Sequence, residues 1–216
     1  MSVTIDRGLV ANAKQVHGVH PVFLIEKILR ERIFDSQYWK RECQHADLLV
    51  LLDRGAELEQ IGTYANAGRT LPTPFICLLL RLLQLQPAAD IIDHLLVQTD
   101  FVYLTALAAL YARITCQSVI VYQKLEPLLA DERRLNIIDS QTVKSISLGQ
   151  YIDELLQGTK FRDMVLPRLV DRLVLEDQEL LEPQQSSMPE ESESMCEEEI
   201  IKSDDDHSTT GNHEHQ

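Results

Sequence analysis

The fold is decided by one stretch of the chain, Leu71-Pro72-Thr73-Pro74-Phe75-Ile76-Cys77-Leu78-Leu79-Leu80-Arg81-Leu82-Leu83-Gln84-Leu85-Gln86-Pro87. From Phe75 to Leu85, nine of eleven residues are apolar, and the two exceptions are Arg81 and Gln84. A helix that is apolar almost all round has no face for solvent, so other helices must surround it. It is also too short to cross a bilayer, which takes about 20 apolar residues. The stretch therefore predicts a buried central helix, bounded by its prolines, in a mainly α domain without membrane association.

Segments on both sides of the central helix show the apolar periodicity of amphipathic helices. Their limits follow from N-cap residues such as Asp47, from Thr99 or Asp100 as the expected cap of the helix at Phe101, and from prolines and glycines. The predicted helices are Val22–Phe34, one that carries Tyr38, Trp39 and Cys43, Leu48–Leu58, one opened by Pro87, Phe101–Cys116, Ser118–Ala130 with a bend near its proline, Gly149–Gln157 and Arg168–Leu181. Residues 136–148 lose the helical period and predict one small β-hairpin.

The first of these helices has one wide apolar face. Its members are Phe23, Leu24, Ile28, Leu29 and Ile33. A face of this kind is typical of a helix side that packs on a hydrophobic core. The charged residues of the same helix take the opposite side, which is expected to face solvent.

Charge is distributed unevenly along the chain. Residues 1–175 carry 20 acidic and 19 basic side chains, whereas residues 176–216 carry 14 acidic side chains and a single lysine, Lys202. Past Pro183, large apolar side chains are too few to offset the entropy lost on folding. The sequence therefore predicts an N-terminal arm at residues 1–16, a single compact helical domain at residues 17–183 and a disordered acidic tail at residues 184–216.

The residue patterns argue against strong direct nucleic-acid binding and against catalysis. Affinity for phosphates needs a dense cluster of Lys and Arg, and the near-neutral body holds basic pairs only. The sequence has no P-loop, no Gly-x-Gly-x-x-Gly after a strand, no His-Glu-x-x-His and no Gly-x-Ser-x-Gly. His17 and His20 flank a glycine turn without a third ligand at helical spacing, so a turn role is favoured over a metal site. We expect no catalytic residue, no metal and no cofactor.

Arg81 is the one charged residue inside the central helix. A long cationic side chain in an apolar helix either extends to the rim of the core or pairs with a buried carboxylate. Because buried charges are normally paired, both alternatives favour a structural role.

Candidates for partner contacts lie on the Tyr38–Trp39 helix and in one loop. Tyrosine and tryptophan are frequent in interaction hot spots, although the spacing of this pair favours the core over an interface. The sequence from Glu59 to Thr70 has no periodicity and holds two glycines, so it predicts the longest loop within the domain. Loops on a rigid frame often carry function. The predicted contact residues are Tyr38, Trp39, Gly62, Tyr64 and Arg69, on one rim of the domain.

Short motifs follow one another in a fixed order from residue 14 to residue 183. The first set is His17-Gly18, Leu24, Glu26-Lys27-Ile28, Arg30, Arg32-Ile33, Ser36 and Tyr38-Trp39-Lys40. The second set is Pro72-Thr73-Pro74-Phe75, Cys77-Leu78, Leu83-Gln84, Gln86-Pro87, Asp100-Phe101, Tyr103, Ala109-Leu110-Tyr111, Arg113, Tyr122 and Leu125-Glu126-Pro127. The last set is Ile152-Asp153-Glu154-Leu155-Leu156 and Leu166-Pro167-Arg168. In this order they resemble the pre-mRNA-splicing factor 38 family, and an ordered set over a whole domain is far more specific than a lone Pro-Thr-Pro-Phe.

The resemblance implies a non-enzymatic, all-helical spliceosomal protein in the nucleus. Members of this family associate around the tri-snRNP stage, are needed for spliceosome activation in pre-mRNA splicing and serve as protein–protein interaction platforms. The implied partners are other spliceosomal proteins, bound through helix-in-groove contacts and including a zinc-finger splicing factor, together with snRNP particles. The residues by themselves leave two alternatives open, a helical RNA-binding protein and a helical enzyme.

The chain departs from the family pattern in two places. The family loop before Pro-Thr-Pro-Phe has the form Gly-Gly-x-Tyr-Gly-Gly, whereas this chain has Ile61-Gly62-Thr63-Tyr64-Ala65-Asn66. The family's His-x-Asp-Glu before the Ile-Asp-Glu-Leu-Leu helix is replaced by Ser147-Leu148-Gly149-Gln150. These two departures put in question any partner contact that depends on the family's residues at these positions.

Overall fold

The structure is a computed structural model that describes Leu9, residues 13–139 and residues 142–183. Its helices are α1 (Lys27–Asp35), α2 (Leu48–Ala56), α3 (Pro74–Leu85), α4 (Ala89–Val97), α5 (Val102–Thr115), α6 (Ser118–Leu125), α7 (Leu148–Gln157) and α8 (Arg172–Asp177). Single 3-10 turns lie at Pro21–Leu24 and Glu126–Leu128, and a π-helical turn lies at Trp39–Cys43. The strands are β1 (Arg134–Asp139), β2 (Thr142–Ser147), β3 (Lys160–Phe161) and β4 (Met164–Val165). The predicted mainly α fold with a small β-hairpin is confirmed.

Helix α3 is the buried central helix that the sequence predicts. The Thr73 hydroxyl caps it by accepting a hydrogen bond from the Ile76 N–H at 3.3 Å. Every residue of α3 except Pro74, Arg81 and Leu85 is buried. The helix contacts α1, α2 and α5, so it is surrounded as an all-round apolar helix must be.

Helix α5 is the second helix without a solvent face. Every residue from Leu104 to Ile114 is buried. Alanines alternate with larger residues along this stretch, and they let α2, α3, α4 and α7 pack closely around it. Together α3 and α5 form the centre of the core, and the remaining elements lie around these two helices.

The predicted hairpin is formed by β1 and β2, which pair antiparallel over six residue pairs. On the other edge of β1, Ile61 forms a parallel bridge with Ile137. Strands β3 and β4 form a second antiparallel hairpin, in which Phe161 pairs with Met164. This second hairpin was not predicted, because its strands of two residues are too short to show a period.

The predicted helix Val22–Phe34 is interrupted in the structure. A 3-10 turn is followed by Ile25 in an extended conformation, and only then does α1 begin. The interruption buries both Val22 and Ile25 completely. Phe23 and Ile28, which were predicted to belong to the core-facing set, are exposed instead.

The last helix is shorter than the predicted Arg168–Leu181, because the chain before it is held extended against α6. The Val170 N–H donates to the Ser118 hydroxyl at 3.0 Å, and the Val170 carbonyl accepts from the Tyr122 hydroxyl at 3.2 Å. These bonds use backbone groups that a longer helix would need for itself. Asp171 then caps the short α8.

Two further helix limits differ from the prediction. Neither Thr99 nor Asp100 caps α5, since the Gln98 side chain accepts from the Phe101 N–H at 2.8 Å. The predicted helix Ser118–Ala130 ends as an α-helix before its proline and continues as a single 3-10 turn. A proline inside a helix removes a donor and clashes with the preceding turn, which explains the change.

All described helices and strands belong to one compact unit, Met1–Glu182. The predicted division into arm, domain and acidic tail stays a prediction, because residues 1–8, 10–12 and 184–216 lie outside the described residues. In the described part of the chain, no helix combines the length and the apolar character that crossing a membrane requires.

Gly149, in the first turn of α7, lies where a larger residue would collide with backbone. A Cβ atom at this position would lie 2.1 Å from the Leu129 carbonyl oxygen. The substitution Gly149→Ala should therefore lower the free energy of unfolding by about 3 kcal/mol, the upper part of the range for overpacking. Urea denaturation followed by circular dichroism measures the effect. The control is Gly68→Ala, where the nearest atom is 3.8 Å away, and equal stability of the two variants would contradict the close approach.

Candidate functional site

The predicted loop lies between α2 and α3 and is fixed at its base to β1. The Ile61 N–H donates to the Asn136 carbonyl and the Ile61 carbonyl accepts from the Ile138 N–H, both at 2.8 Å. Gly62 then passes so close to β1 that a Cβ would lie 3.0 Å from the Ile138 carbonyl oxygen. The hydroxyl of Thr73, the cap of α3, donates to the Gly62 carbonyl at 2.6 Å. The loop thereby connects the hairpin to the central helix.

Asn66 organises the far end of this loop. Its Oδ1 accepts from the backbone N–H groups of Thr70 at 3.0 Å and Leu71 at 3.1 Å, and its Nδ2 donates to the Thr70 hydroxyl at 2.8 Å. Tyr64 forms an isolated antiparallel bridge with Pro72 across the loop. The loop therefore has its own hydrogen-bonded turn, of the kind that asparagine side chains favour.

Four residues, Arg32, Tyr64, Arg69 and Asp163, form what we call the loop cluster. Arg32 of α1 donates from Nη1 to the Arg69 carbonyl, and its Cζ lies 5.4 Å from the centre of the Tyr64 ring. Arg69 Nη2 lies 3.0 Å from Asp163 Oδ1. The Thr63 hydroxyl donates to the other carboxylate oxygen at 2.9 Å. The loop cluster thus connects α1, the loop and the turn between β3 and β4.

The predicted contact residues differ in how far solvent reaches them. The Arg69 side chain is 62% exposed. The others are Tyr38, which is half-buried, and Trp39, Gly62 and Tyr64, which are buried. Trp39 packs edge-on against Phe34 with ring centres 5.1 Å apart, whereas Tyr64 and Arg69 meet in the loop cluster. The structure therefore places the Trp39 indole in the core, the alternative that the spacing favoured, and partner binding through these five residues stays a prediction.

Of the two environments expected for Arg81, the pairing with a carboxylate is absent among the described residues. Arg81 is half-buried, and its Nε and Nη2 donate to the Ala46 carbonyl at 2.8 and 2.6 Å. Its Nη1 donates to Gln84 Oε1 at 2.9 Å. Burial lowers the pKa of the guanidinium, which still lies far above neutral pH for an arginine. Arg81 is a structural residue that holds the chain before α2 against the central helix.

Arg113 on α5 is a structural centre that the sequence analysis did not single out. Its side chain donates to the carbonyls of Leu155, Pro167 and Gly158 at 2.7, 2.8 and 3.4 Å. The residue is 2% exposed, and burial lowers the pKa of its guanidinium. A planar group with five N–H donors suits several carbonyls at once. The signal that could have found it is a charge within an otherwise apolar helix.

A groove of about 570 Å³ lies beside the ends of α3 and α5. Its lining is mostly amide and hydroxyl groups, with Lys14, His17 and Tyr111 as ionisable members. His17 Nε2 lies 3.1 Å from the Ile114 carbonyl oxygen. Burial raises the pKa of Tyr111 to about 12. Its described lining residues include no carboxylate and no thiol.

Three cysteines of the described residues are free thiols, and two of them lie in the core. Cys43 and Cys77 are buried. Burial raises the pKa of Cys43 to about 12 and that of Cys77 well above its usual value, so both stay protonated and weakly nucleophilic. No three His, Cys, Asp or Glu side chains of the described residues are grouped as metal ligands. The described arrangement suits binding surfaces on a rigid helical frame.

Comparison with known proteins decides the family. The model of the PRP38 family matches residues 14–179. The chain belongs to the PRP38 family. It is 41% identical over 183 residues to pre-mRNA-splicing factor 38A of Danio rerio, with 84% of this chain and 58% of that protein covered. It is 44% identical over 183 residues to pre-mRNA-splicing factor 38 of Schizosaccharomyces pombe, with 85% of this chain and 86% of that protein covered.

The match to the Danio rerio relative spans 58% of the relative's length, less than two thirds. The PRP38-family fold of this chain also matches a solved structure. That structure is a chain of the crystal structure of the Snu23–Prp38–MFAP1(217–258) complex of Chaetomium thermophilum, with a TM-score of 0.77 and 35% identity. The match covers 81% of this chain and 92% of that chain.

The structure explains one of the two departures from the PRP38-family pattern. The Ser147 hydroxyl accepts from the Gln150 N–H, and Gln150 Oε1 accepts from the Ser147 N–H, both at 3.1 Å. This is a capping box, in which two N–H groups at a helix start are satisfied reciprocally. Ser147-Leu148-Gly149-Gln150 therefore starts α7 with its own chemistry, and the Ser-x-x-Gln spacing is the sequence signal for it.

Proposed function

We propose that this PRP38-family chain is a spliceosomal protein that serves as a non-enzymatic platform for protein–protein interactions in pre-mRNA splicing. It acts in the nucleus, associates around the tri-snRNP stage and is needed for activation of the spliceosome. The observation that carries the proposal is family membership over residues 14–179. Relatives named as pre-mRNA-splicing factors, each matched over 183 residues, support it.

The described chemistry supports binding in preference to turnover. The buried Arg113 and the half-buried Arg81 donate to backbone carbonyls, Arg81 donates to an amide as well, and the buried thiols are protonated. The exposed charges of the loop cluster are paired with each other, as in Arg69 and Asp163. These groups position chain segments, and positioned segments on a rigid core are suited to recognition.

The partners we propose follow from the similar complex. They are a zinc-finger splicing factor corresponding to Snu23, a segment corresponding to MFAP1(217–258) and, through such proteins, snRNP particles. An apolar helix face laid into a groove of the helical body is the mode of binding that we propose. The near-neutral charge of residues 1–175 supports protein partners over nucleic acid as direct ligands.

Isothermal titration calorimetry of the full chain tests the proposed function. The titrants are the counterparts of Snu23 and of MFAP1(217–258) from the same species. We expect micromolar or tighter binding of at least one titrant, with a negative heat-capacity change from buried apolar surface. A filter-binding assay with RNA at two salt concentrations runs in parallel. Absence of protein binding together with tight, steeply salt-dependent RNA binding would favour the RNA-binding alternative and contradict the platform.

We further propose that the loop cluster contributes to partner binding through Arg69. Two matched variants separate direct contact from loop positioning, because Arg69→Gln and Asp163→Asn both remove the same ion pair. If the Arg69 guanidinium contacts a partner, Arg69→Gln should weaken binding about fivefold or more while Asp163→Asn leaves it unchanged. Equal losses in both variants would assign the effect to the position of the loop, and no loss in either would remove the loop cluster from the interface.

A further inference from the structure

Arg30 differs from Arg113 and Arg81 in having no hydrogen-bond acceptor for its guanidinium among the described residues. Arg113 donates to three carbonyls, and Arg81 donates to a carbonyl and an amide. Arg30 is 9% exposed, yet no described residue accepts a hydrogen bond from its side chain, and its Nε is buried without a partner. A buried N–H without an acceptor is costly, because it has lost hydration without compensation.

The sequence supplies a carboxylate at the right spacing, but that carboxylate is used elsewhere. Glu26 precedes Arg30 by four residues, the spacing at which opposite charges pair along a helix. Glu26 Oε1 instead accepts from the Val165 N–H at 3.3 Å. Lys27 and Glu31, on the same helix, pair with each other across 3.9 Å. Arg30 therefore lacks an acceptor because the fold engages the nearby carboxylates elsewhere, although acidic residues are present on the same helix.

Exposed apolar surface adjoins the Arg30 guanidinium. Its Cζ lies 4.6 Å from the centre of the Phe23 ring, and Phe23 is 42% exposed. The edge of the Phe23 ring also contacts His20, with ring centres 5.9 Å apart. Val165, which Glu26 joins to α1, is exposed as well. A cation held against an exposed aromatic ring is a common arrangement at protein interfaces, where both groups become desolvated.

We propose that Phe23 and Arg30 form a docking site for a partner-protein segment that presents a carboxylate beside an apolar side chain. The carboxylate pairs with the Arg30 guanidinium, and the apolar side chain covers the Phe23 ring. Binding then supplies the acceptor that the free chain lacks, and a carboxylate matches the planar donor fork of arginine in two parallel hydrogen bonds. The inference rests on the proposed function, in that protein partners are the ligands of this chain.

A peptide carboxylate fits this site better than a nucleic-acid backbone does. A run of phosphates needs several cations in a row. Around Arg30 the neighbouring Lys27 is paired with Glu31, and Glu26 adds a negative charge at the site's edge. A single carboxylate needs a single guanidinium and tolerates the apolar surroundings.

The test uses the full chain, the two titrants of the calorimetry above and the variant Arg30→Met, which keeps the apolar stem and removes the charge. We expect Arg30→Met to weaken binding at least about tenfold. Its Tm should stay unchanged or rise by about 2 to 4 °C, because a buried N–H without an acceptor is replaced by a packed apolar side chain. Lys27→Met is the matched control on the same helix and should change neither quantity.

The Phe23 ring is tested by Phe23→Ala, which should weaken the same binding about fivefold or more. Its matched control is Phe101→Ala, another exposed phenylalanine. In the titrant, one Asp→Asn or Glu→Gln substitution should reproduce the loss caused by Arg30→Met. The two changes combined should weaken binding no further, as expected for partners in one contact.

Several outcomes would overturn the proposal. If Arg30→Met binds the titrants as tightly as the wild-type chain does, Arg30 is not part of a docking site, and the proposed function is unaffected. Absence of binding by the wild-type chain would contradict the proposed function, and this inference with it. If the Tm of Arg30→Met falls as far as that of Arg113→Met, Arg30 stabilises the fold of the unbound chain and is not kept for a partner. Loss of RNA affinity instead of protein affinity in Arg30→Met would assign the site to phosphate.

Discussion

Replacing Arg113 with methionine should lower the free energy of unfolding by about 3 to 5 kcal/mol. Methionine fills much of the space of the aliphatic stem, but it leaves the carbonyls of Leu155, Gly158 and Pro167 without their shared donor. Each buried acceptor that loses its partner costs about 1 to 3 kcal/mol. Guanidinium denaturation, followed by the fluorescence of the single tryptophan and by circular dichroism, measures the loss.

The control for this prediction is Arg54→Met. Arg54 forms ion pairs with Glu42 and Glu57 at the surface, at 2.9 and 3.0 Å. Exposed ion pairs contribute little because water and salt screen them, so the midpoint of unfolding should stay near that of the wild type. If Arg113→Met and Arg54→Met unfold at the same denaturant concentration, the three carbonyls have found water or another donor, and Arg113 is not the structural centre described above.

The sequence predicts that the two central helices are buried, because they are apolar on almost every side. Every turn of α3 and α5 presents apolar side chains in all directions, so burial follows from composition alone. The interruption after Pro21–Leu24 could not be predicted in the same way. Val22 and Ile25 are three residues apart, a spacing that suits one face of a continuous helix as well as a turn that buries both. Only the surrounding core decides between these conformations.

The position of the loop from Glu59 to Thr70 is predictable from the sequence, but the environment of its side chains is not. Two glycines and an asparagine indicate a loop from local chemistry. The acceptor that fixes Thr63 is Asp163, a hundred residues further along the chain. Whether Tyr64 is buried likewise depends on Arg32 in α1. Contacts at such separations have no periodic signal, so a sequence can locate a candidate surface without showing which of its side chains remain exposed.

Replacing Phe75 with alanine should lower the free energy of unfolding by about 3 to 5 kcal/mol. Phe75 is fully buried in the first turn of α3. Its ring centre lies 6.3 Å from that of Phe161, and Phe161 in turn lies 5.8 Å from Tyr151. Removing the ring leaves a cavity between the central helix, β3 and α7, and close-packed side chains refill such a space only in part. The same denaturation experiment as for Arg113 measures the loss.

The control is Phe101→Ala, which removes the same ring from an exposed position and should change stability by less than about 1 kcal/mol. Amide hydrogen exchange adds a local reading, because Phe75 follows Thr73, whose N–H donates to the Thr63 carbonyl at 3.1 Å. Faster exchange at Thr73 in Phe75→Ala would show that the central helix positions the loop. Unchanged protection there, beside a large loss of global stability, would mean that the loop is held by β1 and Asp163 alone, and that a partner-binding loop can be altered without disturbing the core.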